Sequence, residues 1–157
     1  MRALLVSLIL LSCHVLAQDA DTARPVETSQ TFGDYVVFYN AFPSTTLLPA
    51  VAADYKIERG ADTAFINIAV RKRAGGGDVA QPVTISGTWS DLIHTQPLAF
   101  REIREKNAIY YIAEAPYDNR TLLRFDVQVT PELAAGEPAP VGSPFKISFT
   151  RKFYTEK

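Results

Sequence analysis

Residues 83–90 read VTISGTWS, and this stretch decides the fold class because its two alternating sets of residues differ in character. Val83, Ile85 and Trp89 fall on one side of an extended chain, and Thr or Ser occupies every position on the other side. Successive side chains of a β-strand point to opposite faces, so this pattern is typical of a half-buried antiparallel strand. We therefore expect Trp89 to be mostly buried in a core formed by packed sheets.

The same period of two recurs on both sides of this stretch. Six further runs, rich in β-branched and aromatic residues, are predicted strands: 32–39, 63–71, 98–104, 108–114, 123–130 and 145–154. Residues 49–55 are the one good helix candidate, with Pro49 at the first helical position, whereas residues 72–78 and 131–144 are predicted loops. Seven strands and one short helical turn predict an all-β fold, an immunoglobulin-like antiparallel β-sandwich.

The first seventeen residues have the composition of a secretory signal peptide. A positive charge at Arg2 precedes the uncharged run 3–11, which is too short to span a bilayer about 30 Å thick. Cleavage after Ala17 is favoured, because small residues precede a polar segment there. The alternative is a bacterial lipobox at residues 10–13, in which Cys13 carries a lipid anchor. Both interpretations predict export to the periplasm.

The rest of the chain divides into a lead-in and one domain. Residues 18–30 are polar without an apolar period, which predicts a flexible lead-in, and residues 31–157 form a single predicted β-sandwich domain. The chain has one cysteine, Cys13, so we expect the domain to fold without a disulfide. No apolar run in the predicted domain approaches the length of a transmembrane segment, so we expect no transmembrane segment.

The composition excludes two classes of partner. Sixteen Lys and Arg against 17 Asp and Glu give a formal net charge of −1, so the chain lacks the basic footprint of a nucleic-acid-binding protein. Two His, one Met and one Cys supply too few soft ligands for a transition-metal site. We expect no nucleic acid, no metal and no cofactor.

Ser90, Asp91 and His94 are the residues that suggest nucleophilic catalysis. However, Ser90 ends a predicted strand without a Gly-x-Ser-x-Gly elbow, so His94 is interpreted as an exposed loop residue. The run Gly75–Gly77 is not followed by the Lys-Ser/Thr pair of a phosphate-binding loop. No catalytic residue is predicted, which favours a protein without enzymatic activity. A hydrolase or carbohydrate-active enzyme with a carboxylate pair stays as the alternative.

Charged residues interrupt the apolar pattern at Arg101, Glu102 and Arg104, and Tyr110 and Tyr111 follow on the next predicted strand. These five residues are the candidate interaction surface, because Arg forks bind carboxylates or phosphates and Tyr is enriched at interfaces. The alternative is structural: Arg–Glu pairs protect a sheet edge, and the rings belong to the core. We favour the structural interpretation.

A hairpin joins the two strands that carry this surface. We predict a three-residue loop at 105–107, whose last residue adopts the left-handed conformation. The resulting register places Ile103 opposite Ile109, as one buried face requires. It also sets Arg101 beside the ring of Tyr111, where a cation–π contact contributes about 0.5–1 kcal/mol.

Four blocks of sequence carry a resemblance to a known family. They are FGDYVVFYNAF at 32–42, FREIRE at 100–105, AIYYIA at 108–113 and FTRKFY at 149–154. These blocks resemble the bacterial family of the domain of unknown function 4426, and the likeness extends from Thr31 to Tyr154. The resemblance implies a small exported domain, periplasmic in a Gram-negative cell. It implies no activity, so it assigns no functional residue.

Together these observations predict an exported, periplasmic protein without enzymatic activity. We expect it to be an interaction or binding module of the cell envelope, with an envelope protein or peptide as its partner. This expectation rests partly on analogy, because small exported all-β domains often serve as binding scaffolds.

Overall fold

A computed structural model describes residues 28–155 and shows two antiparallel β-sheets packed as a sandwich. In that range the strands are β1 (Ser29–Phe32), β2 (Tyr35–Pro43), β3 (Thr63–Ala74), β4 (Gly77–Ala80), β5 (Val83–Ser90), β6 (Thr95–Pro97), β7 (Arg101–Arg104), β8 (Ile109–Pro116), β9 (Leu122–Pro131) and β10 (Phe145–Lys152). A 3-10 turn at Ser44–Thr46 precedes the short helix α1 (Pro49–Asp54). The predicted signal peptide, with Ala17 and Cys13, lies outside the described residues.

Each sheet is built only from antiparallel pairs. The first sheet has the strand order β1-β2-β3-β8-β7, with β4 also paired to β3, and the second has the order β10-β9-β5-β6. The predicted all-β antiparallel sandwich is therefore confirmed. No helix within residues 28–155 has the length and apolar character needed to cross a membrane.

The structure adds three short strands, β1, β4 and β6, to the seven predicted ones. The predicted loop at 72–78 is wrong, because β3 continues to Ala74 and β4 begins at Gly77. Gly77 has a φ of 123°, a conformation that residues with a side chain rarely adopt, so the glycine run closes a tight hairpin. β1 includes Ser29 and Gln30, the last two residues of the predicted lead-in.

The core lies between the inner faces of the two sheets and is rich in aromatic rings. Phe125, Phe145 and Phe153 are among its largest fully buried side chains. The ring of Phe125 lies 5.0 Å from the ring of Phe149, measured between centroids. Trp89 packs against this core but is only partly buried, since β5 ends one residue later.

The other face of the first sheet is also covered, by α1 and the segments around it. Pro49 occupies the start of α1, as its fixed φ favours, and Ala52 is buried on the side of α1 that faces the sheet. Ala52 packs in a second apolar cluster with Ile57, Phe65 and Ile112. Because α1 covers part of this face, β3 and β8 carry apolar residues on both sides beneath the helix, with Phe65 and Ile112 on the helix side.

Asp91 organises the connection between β5 and β6. Its Oδ1 accepts the backbone N–H groups of Ile93 at 2.7 Å and His94 at 2.5 Å. The turn projects Leu92 and Ile93 into solvent, where they are 97% and 85% exposed. The side chain of His94 is 62% exposed, which agrees with its interpretation as a loop residue.

Lowering the pH should release this turn through the Asp91 carboxylate. The backbone N–H of His94, then that of Ile93, lowers the pKa of Asp91 from 3.8 to about 2. Because the folded pKa lies below the unfolded one, the stabilisation is complete above about pH 4 and is lost as the pH falls towards 2. The amide proton shifts of Ile93 and His94 should therefore titrate near pH 2. In Asp91→Asn this titration should disappear, and a midpoint near 4 would contradict the prediction.

Candidate binding site

The five residues of the candidate interaction surface do not form one surface. Glu102, Arg104 and Tyr111 lie on the side of their strands that faces the second sheet, and the Tyr111 ring is part of the main core. Tyr110 packs instead against the apolar cluster under α1, and Arg101 contacts the segment that follows the helix. Strand alternation therefore divides the set between two faces.

The register of this hairpin differs from the predicted one by one residue. The N–H of Glu105 donates to the carbonyl of Ala108 at 2.9 Å, so the loop has two residues and Arg101 lies opposite Ile112. Asn107 does not have the predicted positive φ. The predicted contact between Arg101 and Tyr111 is wrong, because the two residues lie on opposite faces. An apolar match could not select the register, since both faces of β8 are buried here.

Tyr111 links the two sheets. Its Oη accepts the N–H of Val83 on β5 at 2.8 Å and donates to Glu102 Oε2 at 3.1 Å. Burial raises the pKa of Tyr111 to about 12, and the Arg104 guanidinium lowers the pKa of Glu102. The side chains of Tyr111, Glu102 and Arg104 thus satisfy one another's hydrogen bonds and that of the Val83 N–H, so we assign them a structural role.

Arg101 holds the end of the helix segment against β7. Its guanidinium donates to the backbone carbonyl of Tyr55 at 2.9 Å and to that of Lys56 at 3.3 Å. Lys56 has a φ of 53°, so the chain turns sharply just after α1 and leaves these carbonyls without helical partners. Arg101 replaces those partners and positions the helix over the sheet.

Arg101→Ala should lower the free energy of unfolding by about 1 kcal/mol, because two charge-assisted hydrogen bonds at a partly exposed site are lost. Arg124→Ala is the matched control, since that arginine pairs with Asp126 on an exposed strand face and should change stability little. Denaturant unfolding of both variants measures the difference. A recognition role for Arg101 would instead leave unfolding unchanged and abolish partner capture.

An apolar groove of about 280 Å³ lies between α1 and the first sheet. Its lining residues come from five segments of the chain: Phe42, Leu47, Val51, Tyr55, Phe65, Asn67, Ile103, Glu105, Tyr110 and Ile112. The phenol of Tyr55 donates a hydrogen bond to Glu105 at the rim, which raises the pKa of that phenol. The groove is thus formed by rings and aliphatic side chains, with polar groups where it opens.

Asn67 is the polar residue within this apolar lining. Its Oδ1 is buried and accepts no hydrogen bond within residues 28–155, a condition that it shares there with Thr45 Oγ1. The neighbours of Asn67 across the sheet are Asn40 on β2 and Ile112 on β8. A buried acceptor without a donor costs about 1–3 kcal/mol, so a ligand that enters the groove and brings an N–H or O–H group to Asn67 Oδ1 would recover that energy.

A second, polar cleft of about 580 Å³ lies at the turn end of the β7–β8 hairpin. Arg71 crosses it, donating to the carbonyls of Asp78 at 2.5 Å and Asn107 at 3.4 Å. Arg104 and Lys106 also line it, so cations and carboxylates alternate around the cleft. Its guanidinium groups already bind protein acceptors, which makes it a weaker candidate than the groove.

Sequence reasoning identified the hairpin but not the groove. Tyr110 was the one member of the candidate interaction surface that lines it. Phe42, Leu47 and Val51 become neighbours of Tyr110 only when α1 folds back over the sheet, and nothing in their spacing shows that. One signal was present: Asn67 is a polar residue in the centre of a strand whose neighbours are apolar.

Comparisons with known proteins extend over nearly all of the described chain. The model of the family named domain of unknown function (DUF4426) matches residues 29–156. A crystal structure of a DUF4426 family protein from Pseudomonas aeruginosa is similar, with 32% identity and a TM-score of 0.64. The match covers 82% of this chain and 95% of that one. No curated protein matches the chain.

The fold also resembles FetP from uropathogenic Escherichia coli strain F11. The as-isolated form, expressed in the periplasm, has 14% identity and a TM-score of 0.57, over 85% of this chain and 97% of that one. A copper-bound variant has 15% identity and a TM-score of 0.53, over 84% and 97%. At these identities the likeness shows a common fold alone.

Proposed function

The chain belongs to the DUF4426 family, and from this membership and the groove under α1 we propose that it is a non-enzymatic binding module of the bacterial cell envelope. The family description assigns no activity, so the function rests on the site. The groove is the observation that carries the proposal, because its walls are apolar and its lining includes Asn67, whose buried Oδ1 has no hydrogen-bond partner among residues 28–155. A protein or peptide of the envelope is the proposed partner.

The size of the groove indicates what it binds. At about 280 Å³ it falls just below the range of about 300–1,000 Å³ that is typical of small-molecule sites. It therefore fits one large side chain better than a cofactor. Asn67 Oδ1 requires a donor, and an indole N–H or a phenol O–H supplies one at the end of an aromatic body. We propose that a Trp or Tyr side chain of the partner occupies the groove.

Two other chemistries have less support. A carboxyl group that acts as a general acid near neutral pH needs a raised pKa. Every shifted carboxyl pKa among the described residues, including those of Asp91 and Glu102, is lowered instead. The copper bound by the FetP variant does not lead us to propose a copper site in this chain. Residues 28–155 contain no group of three or more His, Cys, Asp or Glu that could hold a metal ion. The hydrolase alternative and a copper site are not proposed.

We also propose export to the periplasm with a mature N-terminus at Gln18. The signal-peptide composition of residues 1–17 supports this placement, as does the recombinant expression of FetP in the periplasm. Mass spectrometry of the protein isolated from its native host measures the N-terminus directly. A chain that begins at Cys13 with a diacylglyceryl group would replace this proposal with the lipoprotein alternative.

Photo-crosslinking in the native host tests the binding function. A photoreactive residue at Val51, in the groove, should give one discrete adduct, and the same residue at Thr84, on the exposed face of β5, should give none. Adding Asn67→Leu should lower the yield of the Val51 adduct by about tenfold, the value of one hydrogen bond. An unchanged yield in that variant would overturn the assignment of the groove.

A purified probe tests the predicted chemistry independently of the partner. N-acetyltryptophanamide should shift the NMR signals of the Ile103 and Ile112 methyl groups, whereas the phenylalanine analogue, which lacks the ring N–H, should bind more weakly. Equal binding of both amides would show that Asn67 plays no part in recognition.

A further inference from the structure

We propose that the free edge of β10 binds an extended segment of a partner protein as an added β-strand, and that apolar residues alternate with acidic residues in that segment. This edge belongs to the second sheet, whereas the groove under α1 belongs to the first. The proposal therefore stands independently of the proposed function.

The backbone of β10 is paired on one side only. β9 is its one strand partner in the described sheets, and β10 ends the strand order. The N–H of Phe153 donates to the carbonyl of Thr121 on the β9 side at 2.8 Å. Both backbone polar groups of a residue in an antiparallel strand point to the same side, and the side alternates along the chain. Counting back from Phe153, the backbone groups of Lys146, Ser148, Thr150 and Lys152 point away from β9.

These four residues present an exposed row of donors and acceptors. Each of them is exposed, and within residues 28–155 no loop, turn or second strand forms a backbone hydrogen bond with their N–H and C=O groups. The row extends over an eight-residue strand, which is long for an edge that has no backbone partner. Such an edge is the template on which strand addition operates.

The charge of the edge indicates which strand it accepts. β10 carries Lys146, Arg151 and Lys152 and no acidic residue. The nearest carboxylate on the neighbouring strand, Asp126, is already bound by Arg124 through two hydrogen bonds of 2.8 and 2.9 Å. The lysines therefore deter pairing with basic edges and favour an acidic strand.

Aromatic rings at the rim, where the two sheets meet beside β10, explain why the added strand should carry apolar residues at alternate positions. Phe32 stacks on Phe145 with 4.5 Å between ring centroids, and Phe149 stacks on Tyr39 at 4.8 Å. Phe32 and Phe149 are only partly buried, so both rings keep accessible surface beside the edge. Every second side chain of an added strand would lie over this rim, where apolar residues are favoured.

A second copy of the chain is a poorer occupant than an acidic segment. Antiparallel pairing of two β10 strands across a two-fold axis would bring the Lys146 end of one copy beside the Lys152 end of the other. Like charges opposite each other destabilise a strand pair. The charge pattern thus selects a different chain.

The test uses the mature protein and an eight-residue peptide that alternates Val and Glu, matching β10 in length. The peptide should slow amide hydrogen exchange at Lys146, Ser148, Thr150 and Lys152 by about tenfold or more. A peptide that alternates Val and Lys is the charge control and should give no protection. Equal protection by both peptides, or none by the acidic one, would overturn the proposal.

Thr150→Pro removes one edge N–H that β9 does not use, so the fold should persist while the acidic peptide no longer binds. Thr150→Val keeps that N–H and should bind normally, and thermal melting of both variants shows that they are folded. Should Thr150→Pro not fold, Lys146→Glu with Lys152→Glu replaces it, and preference should switch to the lysine peptide.

Two further results would assign the edge to a different occupant and overturn the proposal. Protection of the edge amides that appears without peptide and grows with protein concentration would show a second copy. Protection without peptide at every concentration would show that this chain covers its own edge. Neither outcome bears on the groove under α1, whose tests use different residues.

Discussion

Phe125→Ala should lower the free energy of unfolding by about 3–5 kcal/mol, the range for large aromatic side chains in cores. Phe125 is 0% exposed and lies on β9, between β10 and β5. Its ring lies 5.0 Å from that of Phe149 and 6.4 Å from that of Phe153. Removing it leaves a cavity that strands paired on both sides cannot close, so the transfer and cavity costs add.

Denaturant unfolding of matched variants checks this expectation. Trp89→Ala should cost less than Phe125→Ala although it removes a larger side chain, because Trp89 is only partly buried. Tyr154→Ala, at a residue that is 54% exposed, should change stability by less than about 1 kcal/mol. If Phe125→Ala does not fold, Phe125→Leu should still cost about 1 kcal/mol or more. A loss smaller than that of Trp89→Ala would contradict the placement of Phe125 at the centre of the core.

The strands could be predicted wherever one face of the sheet meets solvent. β5 is the clearest case, because Thr and Ser residues alternate along the strand with Val83 and Ile85. This alternation shows both the period of the strand and the face that is buried. Where the sheet is covered on both sides, the pattern loses this information. Ile103 could pair equally well with Ile109 or with Tyr110, and only the hydrogen bond that closes the two-residue loop decides between them.

The groove could not be predicted because it depends on packing between distant segments. Leu47 and Val51 meet Ile103 only after a loop and a six-residue helix fold over the first sheet. A helix this short is not stable alone, so its position is set by the contacts that it makes in the folded state. Sequence periodicity reports the burial of a residue but not the partner that buries it.

Asn67 and Asn40 form a cross-strand pair between β2 and β3, and leucine at these two positions should have opposite effects. Asn67→Leu should raise the free energy of unfolding by about 1–3 kcal/mol, because it removes a buried acceptor that has no donor. Asn40→Leu should lower it by a similar amount, because Asn40 Oδ1 accepts the N–H of Ala41 at 2.9 Å and a hydrogen bond from Arg151 at 3.3 Å.

The gain in stability should be accompanied by a loss of binding. Asn67→Leu keeps the apolar walls of the groove but removes the acceptor, so N-acetyltryptophanamide should bind about tenfold more weakly, the value of one hydrogen bond. Asn40→Leu should bind it normally if folded, since Asn40 does not line the groove. If Asn67 had only a structural role, replacing it should not increase stability. A gain in stability together with weaker binding therefore assigns Asn67 to binding. If Asn67→Leu is instead less stable than the parent, Asn67 is a structural residue and the groove loses its polar recognition group.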